Sequence, residues 1–600
     1  IRPTWQITNW LSLRAQLSTD ITDTKQTLEY ETERPNSLYD PSGSFQNINR
    51  RYDIVYGDVM LNFNYNIRRF DIAATLGWTG RYENMNNMRV STNGGLVTEN
   101  WFDLNASRYT ASSTLQRMEL LKTGYMGTLS LGWDNYLFLE LTGRQERSST
   151  LKDQSFFYPS ANLSFLFSNA FRMPAWWNHG KLRLSYGVVG NAPETYAANI
   201  IYEQGSDNGF TWNYVPSSWG NANIRPEKKY EYEIGFESKF LNNRLGFDVS
   251  YYNNRVKDQI LSTPQPSTSG VKYVLMNVGE VANEGWDISV SATPVLTKNF
   301  RWDLTANYGI YRNKVVKLAD GVPYLEISNI GGGGAKIQAV EGRPMGDIYV
   351  QVPQMNENGE YLVSDKGLYM NQTELQRVGN INPDGVGGLF SSFSYKNIFL
   401  DFSIDFRIGG DVINEMYQYS TASGLTPESL QFRDTEHGGL SYYYPGNNNA
   451  SGVPVQVDPS LGAGPNGETV YHDGVILPGV VASTGEKNTR IIPAGYYYNQ
   501  TYNWGTQPEQ LTYRHSVFDN SYVKLRELTI GYQFPEKLIS KLGMTRLSVS
   551  VFGRNLFYFY KALKNYDAES SVGTSWASQA VVGGSTTATR NFGVSLRASF

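Results

Sequence analysis

Six hundred residues carry 52 Lys and Arg against 56 Asp and Glu, and a net charge of −4 excludes a nucleic-acid surface as the chain's main business. There is no cysteine, so disulfides, thiol catalysis and thiolate metal sites are excluded. No apolar run reaches the roughly 18 residues a membrane-crossing helix needs, while aromatic residues make up 14 %, with 42 Tyr outnumbering Phe and Trp, a composition suited to places where an apolar body meets water.

The first ten residues, IRPTWQITNW, have neither a charged leader nor an apolar stretch. No signal peptide is expected there, and the chain is expected to begin in mid-protein. Alternation then sets in. Leu11, Leu13, Ala15 and Leu17 alternate with Ser12, Arg14, Gln16 and Ser18. Val59, Leu61, Phe63, Tyr65 and Ile67 lead through Arg68-Arg69 into Phe70, Ile72, Ala74, Leu76 and Trp78. Leu129, Leu131 and Trp133 turn at Asp134-Asn135 into Leu137, Leu139 and Leu141; Leu163 and Phe165 turn near Pro174 into Leu182, Leu184 and Tyr186. Tyr232, Ile234 and Phe236 turn at Asn242-Asn243 into Leu245, Phe247 and Val249. Trp286, Ile288 and Val290 return as Trp302, Leu304 and Ala306, and Phe393 and Tyr395 turn at Lys396-Asn397 into Ile398, Leu400, Phe402 and Ile404. Leu528, Ile530 and Tyr532 return as Leu547, Val549 and Val551. A period of two puts one wall of each strand in an apolar setting and the other in water.

The tight turns alternate with long polar connections, expected as loops at about 20–52, 83–118, 190–226, 319–383, 414–515 and 556–588. Short turns at one end and long loops at the other are the pattern of a transmembrane antiparallel β-barrel with extracellular loops. The mean hydropathy of −0.42 suits such a wall, because every second residue faces water. The expected fold is therefore all-β, with about 16 strands; a soluble sandwich would bury its apolar wall and would not have such lopsided loops. A complete passive porin of about 16 strands fits the same pattern.

The last stretch, 591–600, reads NFGVSLRASF, with Phe592, Val594, Leu596 and Phe600 on one face. It resembles the C-terminal signal of bacterial outer-membrane barrels. Five further stretches, RPEKKYEYEIGFE (225–237), NVGEVANEGWDISV (277–290), EGRPMGDIYV (341–350), the run from VGNINPDG to GGDVIN (378–414) and the run from YVKLRELTIGYQFP to FGRNLFYFYK (522–561), resemble the SusC/RagA family of TonB-dependent outer-membrane transporters in the family's order. The resemblance implies a barrel of about 22 strands, of which residues 1–600 would be the C-terminal part without the plug domain and first strands. It also implies a SusD-like surface lipoprotein and TonB as partners, and active import of an oligosaccharide ahead of a peptide. A surface-binding or adhesin barrel is the rival from another class. Family members often carry an acidic Asp/Asn-Gly-Asp-Gly segment; here Asn356-Glu357-Asn358-Gly359-Glu360 is too poor in carboxylates for calcium, so no metal is expected.

No catalytic set emerges and no cofactor is expected. His179, His437, His472 and His515 are scattered, and Gly331–Gly334 lacks the Lys-Ser/Thr of a phosphate loop and is expected as a flexible loop. The candidates for substrate contact are loop aromatics, whose flat faces stack on sugar rings: Trp212, Tyr214 and Trp219; Tyr442, Tyr443 and Tyr444; and Tyr496, Tyr497 and Tyr498. The plainer reading is that these residues pack the loops.

Overall fold

The computed structural model describes residues 1–32, 42–152, 154–207, 210–503, 512–584 and 588–600. The chain divides into two compact units, Ile1–Ser238 with Ser250–Val281, and Lys239–Val249 with Ala282–Phe600.

The first unit is an antiparallel meander of β1 (Thr4–Thr8), β2 (Leu11–Tyr30), β3 (Ser44–Ile67), β4 (Phe70–Leu96), β5 (Ser107–Trp133), β6 (Leu137–Ser148), β7 (Ser155–Phe165) and β8 (Trp177–Asn191), each bonded to the next. β8 is bonded in turn to β9 (Glu227–Phe240), which the strand β10 (Leu245–Lys257) follows. The register aligns apolar residues across strands: Leu61 faces Leu76, Ala74 faces Leu129, Leu129 faces Leu141, and Leu139 faces Leu163, which faces Leu184. On the other wall Asn62 faces Thr75, Thr75 faces Thr128, Thr128 faces Thr142 and Thr142 faces Ser160. Thr75 donates to Asn62 at 3.0 Å, and the Thr142 and Ser160 hydroxyls lie 2.6 Å apart. A one-residue slip would exchange the two walls, so the pattern itself pins the register.

The second unit repeats the design. β11 (Glu280–Leu296) meets β12 (Phe300–Lys317) through Thr293 donating to Asp303 at 2.7 Å and Tyr311 donating to Asn283 at 2.8 Å. β12 pairs with β13 (Gly385–Tyr395), then follow β14 (Ile398–Ile408), β15 (Tyr522–Gln533), β16 (Arg546–Lys561) and β17 (Asn591–Ser599). One apolar row crosses all six strands from β12: Trp302, Phe393, Leu400, Ile530, Val551, Val594. Beneath it runs Asp303, Ser392, Asp401, Thr529.

The apolar wall is bare. Phe592, Val594, Leu596 and Phe600 are 73 %, 72 %, 68 % and 82 % exposed, and Leu76, Ile398, Ile530 and Val551 are also exposed. A water-soluble sheet does not leave contiguous apolar rows of this extent uncovered, whereas lipid covers them at no cost. No helix among the described residues is long and apolar enough to cross a membrane.

The tight turns stand where alternation placed them. Asp134 and Asn135 have φ of 52° and 58°, two successive left-handed residues as a two-residue hairpin turn requires. Leu241, Asn242 and Asn243 form a left-handed run, and Arg68 and Lys396 supply single left-handed residues. At the other end the structure corrects the expectation. Residues 20–30, 44–52, 83–96 and 107–118 are strand, paired as far as Tyr30 with Ser44 and Leu96 with Ser107. Beyond the apolar band both faces meet water, so the alternation vanishes while the backbone ladder continues. Parts of the expected loops at 20–52, 190–226, 414–515 and 556–588 lie outside the described residues.

The connections of the second unit are folded, not loose. Ile330, Ile337, Ile348, Val350, Ile381, Ile413, Tyr513 and Val581 form one core, drawing on connections 318–384, 409–521 and 562–590. Each such fully buried aliphatic side chain contributes about 1.5–3 kcal/mol. A four-stranded sheet spans Tyr324–Ile330, Ala335–Val340, Asp347–Val350 and Gln376–Asn380, and Asp411–Asn414 pairs with both Val517–Asp519 and Val581–Val582. Gly331–Gly333, expected as a loop, is a tight 3-10 turn between two of those strands. Gly331 has φ of 58°, and a Cβ there would lie 1.6 Å from the Tyr513 hydroxyl, so only glycine fits.

Candidate functional site

Three sets of side chains gather chemistry: the polar walls, the loop aromatics, and ion-pair clusters that fasten the connections. On the polar wall of the first unit Asn64, Asn66, Asp71, Glu140, Asn162 and Ser164 line a basin of about 520 Å³. A second basin of about 320 Å³ is lined by Asn162, Ser185, Lys229, Glu231 and Glu233. Arg14 pairs with Asp58 at 3.2 Å, and Arg81 and Arg144 pair with Glu83 and Glu146, two positions along the same strand, at 2.6 and 2.7 Å. Residues two apart share a strand face, so these walls carry charge that is locally cancelled and rich in hydrogen-bonding groups.

The aromatic candidates separate by burial. Phe210, Trp212 and Tyr214 alternate along the short strand Phe210–Tyr214, which pairs with Glu203–Asp207. All three are exposed, and the Trp212 ring lies against Gly205, where a side chain would collide at 2.7 Å. Tyr214 shares a hydrogen bond with Glu203. The result is a ladder of three rings on one face of an exposed hairpin. Trp219 is half-buried and stands edge-on to Tyr202 at 5.7 Å.

The tyrosine triplets are largely packed into their own loops. Tyr442 is fully buried, donates to Asp473 at 3.1 Å and stacks on Tyr471 at 5.5 Å. Burial and the Asp473 charge push its phenol well above the ordinary range. Tyr498 is buried in the helix α1 (Ala494–Tyr502) and donates to the Glu428 carbonyl at 2.8 Å. Both rings are covered by their own loops, so neither is placed to stack on a ligand. Tyr443 and Tyr444 are half-buried, Tyr444 edge-on to Tyr471 at 6.1 Å. Tyr496 and Tyr497 pack against the buried Leu368, Val475, Leu477 and Ile492. Runs of three tyrosines carry no signal of which face will be covered.

Asn356-Glu357-Asn358-Gly359-Glu360 closes on itself: Asn356 accepts from the Asn358 and Glu360 amides, both at 3.0 Å, and donates to Glu360 at 2.9 Å. Among the described residues no group of three or more His, Asp or Glu side chains is arranged to hold a metal. The histidines stay apart. His437 contacts Asp434 at 2.7 Å, His472 contacts Ser441 at 2.8 Å, and burial lowers His515.

Two clusters were not visible as sites in the sequence. Asp347, fully buried, accepts from Arg343 at 2.7 Å, Arg377 at 2.9 Å and Asn380 at 2.9 Å. Burial by itself would raise this carboxyl; the three donors outweigh burial and hold it below the ordinary range. The knot joins the EGRPMGD and VGNINPDG stretches, which gives those motifs a physical reason. The second cluster lies where the connection 562–584 crosses β15. Glu569 receives Lys524 at 2.5 Å and a two-pronged contact from Arg526 at 2.9 and 2.7 Å. Burial would raise Glu569, but Arg526 and Lys524 hold it down to about 2. The signal for this cluster was the charge pair Lys524 and Arg526 in an otherwise alternating strand, where the register shifts twice.

Comparison with known proteins follows the same lines. Residues 3–342 match the family model described as "TonB dependent receptor-like, beta-barrel". The chain is 22 % identical over 494 residues to TonB-dependent receptor P3 of Formosa agariphila, covering 75 % of this chain and 42 % of that protein. It is 27 % identical over 256 residues to TonB-dependent receptor SusC of Bacteroides thetaiotaomicron, covering 37 % of this chain and 24 % of SusC. The chain thus spans less than half the length of these curated relatives. The solved structure of the RagAB peptide importer in its open-open state superposes with a TM-score of 0.71 at 18 % identity, covering 100 % of this chain and 62 % of that one. That likeness is one of fold. The family is one of outer-membrane transporters and receptors and not of enzymes. By the family match over more than half its length, this chain belongs to the TonB-dependent receptor-like β-barrels.

Proposed function

We propose that these residues form the later part of the wall and loops of an active, TonB-dependent importer of a large polar nutrient across the outer membrane. The observation that carries this reading is the two-walled sheet: bare apolar rows on one face and, on the other, a row of hydrogen-bonding side chains running Asn62, Thr75, Thr128, Thr142 and Ser160. The polar wall lines a wet path, and its local charge cancellation lets a hydrated cargo pass without a long-lived ionic trap. On this reading the whole is a barrel of about 22 strands, its plug and first strands lie outside these 600 residues, and TonB acts through that part. A SusD-like surface lipoprotein closes the loop-side mouth.

The cargo is an oligosaccharide ahead of a peptide. The exposed ladder of Phe210, Trp212 and Tyr214 supports this, because flat aromatic faces match the apolar faces of sugar rings while Glu203, paired with Tyr214, is at hand for hydroxyls. Uptake of labelled oligosaccharides and peptides, in cells with and without TonB, tests the proposal. Oligosaccharide uptake that stops without TonB and falls at least tenfold in Trp212→Ala/Tyr214→Ala supports it. Uptake independent of TonB, with steady conductance in planar bilayers, points to a passive porin instead.

A further inference from the structure

The cluster on β15 has a feature that an ordinary ion pair lacks: its cationic half is held in place without its anionic half. Arg526 Nε donates to Asp405 at 2.6 Å, and Nη1 donates to Asn555 at 3.0 Å. Lys524 is fully buried beneath the Tyr558 ring, with Nζ 4.8 Å from its centre. The guanidinium plane and the ammonium are therefore oriented by the wall itself. Glu569 comes from elsewhere. It rides on the connection 562–584, which is fastened by Asp567 accepting from Tyr558 at 2.6 Å and by the Ala568 carbonyl accepting from Asn520 at 3.0 Å. Its side chain stays 32 % exposed, and Arg526 stays 29 % exposed.

Two nearly parallel N–H groups of a guanidinium and one ammonium make the geometry that binds a carboxylate in two-pronged fashion. With Glu569 withdrawn, Lys524, Arg526 and Asp405 leave one net positive charge on the polar wall. We propose that Lys524 and Arg526 form a binding site for a free carboxylate on the cargo, and that Glu569 occupies this site as a built-in competitor until such a carboxylate displaces it. The site deepens the import reading by naming an acidic group on the cargo, but binding is independent of transport. The ligand chemistry is a carboxylate on a polar chain, from a uronic acid or from a peptide C-terminus. A tethered group competes at an effective concentration in the millimolar range, so the competitor masks the site from dilute ligand and yields to cargo concentrated at the mouth.

Equilibrium binding to the full-length protein in detergent micelles tests the proposal with three probes: trigalacturonate, triglycine with a free C-terminus, and neutral maltotriose. Glu569→Gln removes the competitor and is expected to bind one of the two carboxylate probes at least tenfold more tightly than the parent, with maltotriose unchanged. Which carboxylate gains identifies the source. Adding Arg526→Gln to Glu569→Gln is expected to cancel the gain, and high salt is expected to weaken it. Glu569→Asp, which keeps the charge on a shorter stem, is expected to give a smaller gain and serves if the Gln variant does not fold. No gain for either carboxylate in the folded variants, or a gain that survives the loss of Arg526, overturns the proposal. A purely structural clasp would lose stability in Glu569→Gln without gaining affinity. Failure of the import reading would instead appear as uptake independent of TonB, with the binding result unaffected.

Discussion

Asp347→Asn isolates what the knot between the two motif stretches is worth. The carboxylate is fully buried and accepts from Arg343, Arg377 and Asn380 at 2.7, 2.9 and 2.9 Å. An amide in its place keeps one carbonyl acceptor but no charge, so two charge-assisted hydrogen bonds are lost or weakened, each worth about 1.5–3 kcal/mol. The Arg343 and Arg377 side chains are 43 % and 39 % exposed and can be partly rehydrated, which reduces the penalty. The expected cost is about 2–4 kcal/mol, borne by the four-stranded sheet and not by the strands of the wall. Each 1.4 kcal/mol is a factor of ten, so amide hydrogen exchange in Ala335–Val340 and Asp347–Val350 should quicken by about 30- to 1000-fold. Exchange in β4 and β5 should not change. Protection of the small sheet within threefold of the parent would refute the reasoning, as would equal loss throughout the chain.

Two more expectations follow from the walls and from the clasp. Val594→Arg on the bare wall should cost about 2–4 kcal/mol of folding stability in lipid bilayers, whereas Ser595→Arg on the opposite wall should be tolerated; equal costs in denaturant titrations would mean that the walls are misassigned. Because Glu569 is held down to about 2 in the fold against an ordinary 4.5, its contribution is complete above about pH 4.5 and is lost as pH falls through about 2. Pepsin cleavage within 562–584 should therefore rise steeply across that window in the parent and show no such rise in Glu569→Gln; the same acid sensitivity in both proteins would remove Glu569 as the clasp.

The walls and tight turns were legible because both depend on local sequence. Alternation at period two names the faces, and Asp134-Asn135 or Asn242-Asn243 names the reversal, since Asn and Asp tolerate left-handed φ. The hairpin extensions past Asp20 and Glu83 were not legible, because a ladder with water on both faces leaves no hydrophobic period. Burial of Tyr442 and Tyr498 depends on Tyr471 and Glu428, 29 and 70 positions away, and nothing in a triplet of tyrosines reports a neighbour so remote. The same holds for Glu569, 43 positions from Arg526. The Asp347 knot lies between these cases: Arg343, Asp347 and Asn380 fall within the motif stretches, but Arg377 and their mutual contact are not marked by them.

The core that unites connections 318–384, 409–521 and 562–590 has a bearing on how such a protein can change over generations. Loops that share a core cannot be lengthened or exchanged one at a time, since an insertion in any of them disturbs packing contributed by the other two. Change in this part of the molecule must arise by substitution at fixed length. The hairpin of Glu203–Asp207 and Phe210–Tyr214, whose described side chains are nearly all exposed, is under no such restraint. Its length and aromatic content are free to drift without disturbing that shared core.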